Sequence, residues 1–320
     1  MQISDNLSER VNAAIATLEY PAVTPELFVP IRYTLEEGGK RLRPRLLLAS
    51  YIACGGKSVE EVLPQALGLE MFHNFTLLHD DVMDNADIRR GRPTVHRKWG
   101  VDTAILSGDT MLTMATQLVA KCPDEKLREV LRLFNDTAME IYEGQQMDME
   151  FERTDNVAVS DYLEMIRLKT SVLLGYACRM GAYLAGASEE DCGRFYDYGI
   201  DLGLAFQLRD DWLDTFGDPL EFGKEIGGDI VNNKKTWLLI TAMEESTDEL
   251  SAILAEDLED RERIRQVVRV YDSLGLSDRC CRLVNSYVER AVACLDKVDM
   301  TPEARDFFVS LAKKSATRTH

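Results

Sequence analysis

The sequence predicts an all-α fold. Three observations carry this: nine prolines in 320 residues, long stretches rich in Leu, Ala, Met, Glu and Arg, and few alternations of β-branched residues, a composition that favours helix over strand. No stretch reads as a strand. Taken in order, Gly55 and Gly56 separate the second helix from the third, since glycine ends helices readily. A helix starting near Asp102 ends at Pro123. Asp161, with Glu164 behind it, has the spacing of a capping box ahead of YLEMIRLKTSVLLGYACRMGAYLA. Ser188, followed by acidic residues, opens the helix carrying FYDYGIDLGLAFQLRDDWLDTF, which stops at Gly217 to Pro219. The Asp- and Glu-dense stretch from about 246 to 263 reads as a solvated loop and helix start. About ten helices result, several longer than about 20 residues, with short connections that suit antiparallel neighbours. No low-complexity linker divides the chain, so residues 1–320 are expected to form one domain.

Composition narrows the function. With 37 basic and 55 acidic side chains the formal charge is −18, which disfavours nucleic acid as a partner. At 45% hydrophobic and 29% charged, the chain can bury a large core. No apolar run approaches the roughly 18 residues of a membrane span, and MQISDNLSER lacks the basic and apolar character of an export signal. A cytoplasmic protein without stable membrane insertion is expected. The seven cysteines, at 54, 122, 178, 192, 280, 281 and 294, show no metal spacing. They read as small thiols in a reducing compartment.

Two strings point to chemistry: LLHDDVMD at 77–84 and FQLRDDWLD at 206–214. Each places aspartates at i, i+1 and i+4 near the C-terminal end of an apolar helix, so Asp80 and Asp84 share a face, as do Asp210 and Asp214. Like charges stacked in this way repel, and carboxylates are unfavourable at the negative end of a helix. A cation should compensate them. Magnesium suits the pattern, because it takes a few carboxylate oxygens and keeps positions for water and phosphate. A single such motif could be a solvated acidic helix end; two, each set among apolar residues, argue against that.

The basic residues gather at GGKRLRPR (Lys40, Arg41, Arg43, Arg45), at DIRRGRPTVHRK (Arg89, Arg90, Arg92, Arg97, Lys98) and at GKEIGGDIVNNKKT (Lys224, Lys234, Lys235). They could be surface ion pairs of little energetic weight. Glycine pairs recur beside them, Gly38 with Gly39 and Gly227 with Gly228, as expected where backbone must approach a ligand closely. Guanidinium forks and metal ions together make a diphosphate site.

In order, GGKRLRP, FTLLHDDVMD, RRGRPTVH, GQQMD, Lys169-Thr170, FQLRDDWLD, GKEIGGD and KKT resemble the trans-prenyl diphosphate synthases over residues 37 to 240. The resemblance implies an isoprenoid synthase fold of about ten helices around a central cavity, and a homodimer. It implies that Asp80 and Asp84 from one wall and Asp210 and Asp214 from the other hold three magnesium ions on an allylic diphosphate, assisted by Asp81 and Asp211. It assigns Arg89, Lys169, Thr170, Gln207, Lys224 and Lys234 to that substrate, and Lys40, Arg43, His73 and Arg90 to isopentenyl diphosphate. Lys169 and Lys224 join Asp80, Asp84 and Asp210 as catalytic candidates. Gln145 and Asp148 match a family helix motif of less defined role. His73 could instead be a core histidine; its spacing of seven residues, about two turns, from Asp80 favours the site.

The implied reaction is magnesium-dependent head-to-tail condensation of isopentenyl diphosphate with dimethylallyl, geranyl or farnesyl diphosphate. An enclosed apolar cavity would protect the allylic cation from water. Leu77, Leu78, Phe72, Phe75, Met111 and Phe206 could line it, or could be ordinary core. Within the family, bulk beneath the first motif limits product length; here Phe75, Thr76 and Phe72 stand there. Phe75 lies five residues before Asp80, and the plain Asp-Asp-x-x-Asp resembles archaeal-type geranylgeranyl diphosphate synthases. Twenty carbons is the expected product, with the fifteen-carbon farnesyl product as the alternative. A terpene cyclase would carry only one Asp-rich motif, and a non-catalytic regulatory or scaffold subunit commonly loses one. A plain acidic cation-binding bundle would not explain the basic clusters.

Overall fold

The computed structural model describes residues 3–21, 23–36, 38–154, 156–218 and 226–318, with the side chains of residues 3–6 outside the description. The chain divides into two compact units. The first comprises Met1–Asn135, Ala177–Gly193 and Asp299–Arg305; the second comprises Asp136–Tyr176, Arg194–Val298 and Asp306–His320. Residues of α7 (Asp124–Phe151), α9 (Val172–Ala185), α10 (Glu189–Phe216) and α16 (Pro302–Thr317) are shared between the two ranges.

The first unit is built on α4 (Leu63–Met83), whose run of Leu, Ala, Met and Phe starts with a proline in its first turn, where a missing N–H costs nothing. Its neighbours are α1 (Ile3–Ala16), α2 (Pro25–Glu36), α3 (Leu42–Ala53), α5 (Val95–Trp99) and α6 (Val101–Val119). Leu69 and Phe72 of α4 are fully buried, and Phe72 meets Phe134 edge-on at 5.2 Å. Each such side chain contributes roughly 2–3 kcal/mol by leaving water. Two helices precede α3, so Gly55 and Gly56 separate the third helix from the fourth. The expectation of no strand also needs correction. Ile88–Arg89 (β1) pairs antiparallel with Arg92–Pro93 (β2), and the turn between them has φ of 51° at Arg90 and 75° at Gly91. Two successive positive φ values match the twist of a two-residue hairpin, and glycine supplies the second without strain. At two residues a strand, this pair is too short to leave an alternating pattern.

In the second unit, α8 (Val159–Ile166) begins with Ala158 as its N-cap, so Asp161 lies in the first turn and does not cap it. The expected continuous helix through 185 is interrupted by a π-turn at Arg167–Ser171 before α9. The π-turn is packed tightly on both sides. A Cβ on Gly144 of α7 would lie 2.3 Å from the Lys169 backbone nitrogen, and one on Gly203 would lie 2.6 Å from the Ser171 Cα. Ser188 caps α10 (Glu189–Phe216) as expected, accepting from the Asp191 N–H at 3.1 Å. The end of α10 at Phe216 agrees with Gly217 as its stop; Pro219 lies outside the described residues. Beyond it come α11 (Gly228–Val231), α12 (Trp237–Glu245), α13 (Thr247–Ala255), α14 (Asp260–Ser273), α15 (Leu276–Cys294) and α16 (Pro302–Thr317). Residues 247–255 are therefore helical rather than loop, because fully buried Leu250 anchors an amphipathic stretch. Short helices make the series longer than ten. Tyr198 and Phe195 of α10 pack on Phe308 of α16, with the Tyr198 hydroxyl donating to the Phe308 carbonyl at 2.8 Å.

Candidate functional site

The first acidic motif ends α4. The Asp84 N–H donates to the Asp80 carbonyl at 2.8 Å, one turn back, and Asp84 caps the helix. Asp81 is buried, and its carboxylate accepts from Arg89 Nε at 2.7 Å, while Arg89 Nη2 stands 3.9 Å from Asp80. Burial raises the Asp81 pKa and Arg89 opposes it. Asp80 is partly accessible and Asp84 exposed. The strand ends at Arg89 and Arg90 opens the turn with φ 51°, so the two consecutive arginines part: Arg89 reaches the aspartates, and Arg90 Nη1 donates to the Gly38 carbonyl at 2.8 Å.

The same unit gathers the basic residues. Arg41 is buried in a left-handed conformation with φ 46°, uncommon for a non-glycine residue. Three contacts hold it: Nη1 to Glu70 at 2.7 Å, Nη2 to the Leu35 carbonyl at 2.6 Å, and Nε to Asn12 Oδ1 at 3.0 Å. That anchor fixes the turn that carries Lys40 and leads into α3, whose second residue is Arg43. Arg43 Nε is buried without a hydrogen-bond partner, and burial lowers the Arg43 pKa to about 10, with Glu70 opposing and Arg90 adding to the fall. The His73 imidazole is pushed well below its usual pKa by burial and then by Arg43, Arg90 and Arg89. A neutral ring among guanidinium groups marks strong positive potential, the setting for a multiply charged anion. Arg43, His73 and Arg90 thus lie close enough to act on one another, with Lys40 exposed.

In the second unit, Asp210, Asp211 and Asp214 occupy the last two turns of α10. Asp211 is buried and accepts from the Tyr162 hydroxyl and from Gln207 Nε2, the latter at 3.1 Å. Burial and then Asp229 push its pKa up to about 7 and that of Asp214 to about 6. Asp214 Oδ2 accepts from the Asp229 N–H at 2.9 Å, and Lys234 Nζ lies 3.5 Å from Asp229. Gly227 and Gly228 let this backbone close on Asp214: the Gly227 N–H donates to the Asp214 carbonyl at 2.6 Å. Lys169 Nζ pairs with Asp148 at 2.5 Å, and Thr170 Oγ1 donates to Gln207 Oε1 at 3.4 Å. Both residues sit in the π-turn, a feature frequent at functional sites. Gln145 is half-buried near Asp148 on α7. Lys224 lies outside the described residues.

Among the described residues no three His, Cys, Asp or Glu side chains form a ready-made metal cage. The donor chemistry nevertheless fits magnesium, which binds through one or two carboxylates and completes its shell with water and phosphate oxygens. Burial, with Asp229 adding to it, disfavours the charged forms of Asp211 and Asp214, so a cation bound beside them would stabilise those charges.

Beneath the first motif, Phe75 is buried between Phe72, at 5.5 Å, and the His79 ring, at 4.8 Å, while Thr76 Oγ1 donates to the His73 carbonyl at 2.8 Å. Sequence reasoning missed Glu70, Tyr162 and Arg318, and took in Asp229 only as the last residue of GKEIGGD. Glu70 had a signal, a lone charge in the apolar run LPQALGLEMF; Tyr162 and Arg318 act through long-range contacts that leave none.

A family model described as polyprenyl synthetase matches residues 24–271. Geranylgeranyl diphosphate synthase of Methanosarcina mazei is 40% identical over 93% of this chain and 92% of its own length. Geranylgeranyl pyrophosphate synthase of Geoglobus acetivorans is 37% identical over 99% and 100%. Geranylfarnesyl diphosphate synthase of Natronomonas pharaonis is 34% identical over 98% and 96%. A crystal structure of a geranylgeranyl pyrophosphate synthase superposes with TM-score 0.92 at 40% identity, covering 99% of this chain and 98% of that one. A polyprenyl synthase from Caulobacter crescentus, crystallised with calcium and isoprenyl diphosphate, gives TM-score 0.86 at 28% identity over 99% and 98%.

Proposed function

The chain belongs to the polyprenyl synthetase family, and from that premise we propose that it is a short-chain trans-prenyltransferase, condensing isopentenyl diphosphate with an allylic diphosphate to give geranylgeranyl diphosphate. One observation carries the reading. Both acidic motifs have the same construction: the middle aspartate is buried and held, by Arg89 on Asp81 and by Tyr162 and Gln207 on Asp211, while the outer two, one turn apart, remain within reach of solvent.

In this reading Asp80, Asp84, Asp210 and Asp214 are the magnesium ligands, with three ions taken up together with the diphosphate. Bound magnesium supplies charge to stabilise the departing pyrophosphate. Arg89, Lys169, Thr170, Gln207 and Lys234 hold the allylic diphosphate, joined by Lys224. Lys40, Arg43, His73 and Arg90 hold the second diphosphate, which the buried guanidinium of Arg43 and the neutral His73 ring favour. The allylic carbon–oxygen bond breaks with its electron pair leaving on pyrophosphate. The double bond of isopentenyl diphosphate attacks the allylic carbon, and a proton lost to the released pyrophosphate completes a five-carbon extension.

Support for twenty carbons comes from the two relatives named above as geranylgeranyl synthases and from Phe75 and Phe72 beneath the first motif, which with Thr76 form the floor. A single family model spanning residues of both units supports one catalytic domain. A homodimer is supported by Val101, Ile105 and Leu106 of α6, which stay 47%, 44% and 58% exposed. No helix among the described residues is long and apolar enough to cross a membrane; a cytoplasmic location is part of the same proposal. Incubation with isopentenyl diphosphate and each allylic diphosphate tests the reading. The expected result is pyrophosphate release that needs magnesium, with a twenty-carbon product on chromatography. Absence of any metal-dependent chain elongation rejects it in favour of a scaffold subunit.

A further inference from the structure

Asp210, the first aspartate of the second motif, already holds a cation. Arg318 Nη2 lies 2.6 Å from Asp210 Oδ1. The same nitrogen donates to the Phe206 carbonyl at 3.3 Å, and the guanidinium carbon stands 3.8 Å from the Phe206 ring centroid. The Arg318 side chain is 11% exposed, against 40% for that of Asp210. Its backbone is gripped as well: Arg209 Nε and Nη2 donate to the Arg318 carbonyl at 3.3 and 3.1 Å. Arg209 is in turn fixed over the Trp212 ring at 4.0 Å. Thus the stretch of α10 from Phe206 to Trp212 holds both ends of one residue.

We propose that Arg318 is a displaceable counter-ion of Asp210, a positioning residue whose ion pair sets how readily the second acidic motif takes up a divalent cation. The inference rests on Asp210 being a metal ligand. A guanidinium 2.6 Å from Oδ1 takes up acceptor capacity of that carboxylate and repels a divalent cation approaching it. Metal uptake through Asp210 therefore competes with the pair, so the pair's stability opposes metal affinity, and by linkage metal loosens Arg318. Two features make the pair breakable. Arg318 stands just beyond the end of α16 at Thr317, so its release unwinds no helix. Its Nε is buried without a hydrogen-bond partner, so its placement satisfies Asp210 better than it satisfies itself. Without metal, the arginine relieves repulsion among Asp210, Asp214 and Asp229.

The test follows Mn2+ uptake by the full chain with inorganic pyrophosphate, read from the free-ion signal in electron paramagnetic resonance. Arg318→Gln is expected to lower the half-saturating Mn2+ concentration about fivefold, the scale of a half-exposed ion pair, while Arg318→Lys stays near the parent. Should Arg318→Gln fail to fold, Arg209→Gln, which frees the Arg318 backbone, shifts the midpoint in the same direction. An unchanged or raised midpoint in the Gln variant overturns the proposal. Asp210→Ala separates the two levels. If it weakens Mn2+ uptake while Arg318→Gln changes nothing, the counter-ion role alone fails; if it leaves uptake unchanged, the metal assignment fails with it.

Discussion

At the scale of single residues, Asp214 shows how a carboxylate can be placed at some cost to stability. Burial and Asp229 raise its pKa from 3.8 to about 6. A carboxyl whose folded pKa lies above its unfolded one contributes stability fully below about pH 3.8 and loses it as pH rises through about 6. Asp214→Asn cannot ionise and still accepts the Asp229 N–H. It is expected to raise the Tm of the metal-free protein by about 1–2 °C at pH 8, with the gain shrinking as pH falls to 5. Thermal denaturation in a chelator checks this, and a gain independent of pH contradicts it. Residue identity made the aspartates and most basic groups legible, because their clustering is costly without a ligand. Tyr162 and Arg318 were not, because each gains its role from a partner 49 or 108 positions away; Glu70 stood out as a lone charge in an apolar run, but its partner 29 positions away did not.

At the scale of elements, the long helices were readable from propensity and from stops at Gly and Pro, and Ser188 capped where expected. The π-turn was not readable, since RLKTS has nothing local to forbid an α-helix; it persists where Gly144 and Gly203 bring neighbouring backbones against it. The two-residue hairpin fell below any pattern, yet it directs Arg89 and Arg90 to different partners. On α4 the proposed limit on product length depends on Phe72 and Phe75 together. Phe75→Ala combined with Phe72→Ala is expected to extend the product by five carbons or more, read by chromatography after dephosphorylation. Phe72 is fully buried and its loss costs about 3–5 kcal/mol, so Phe75→Ala alone provides the more stable comparison. An unchanged product from both variants removes these residues from the floor.

For the whole molecule, a net charge of −18 keeps non-specific polyanions away and concentrates the few basic clusters where an anion can be bound. Leu106 and Ile105 on α6 are exposed apolar surface of the kind an interface covers. Leu106→Glu is expected to shift the protein from twice the chain mass to once in light scattering, and a parent already monomeric would refute the homodimer. Both acidic motifs are proposed to serve one reaction. Groups that act as a unit lose activity non-additively, so the direct measurement is the rate of pyrophosphate release by Asp80→Ala, Asp210→Ala and the double variant, with saturating magnesium and both diphosphates. The expected result is a loss of about a thousandfold or more in each single variant and no further loss in the double. Full rate in either single variant, or losses that simply multiply, would contradict it.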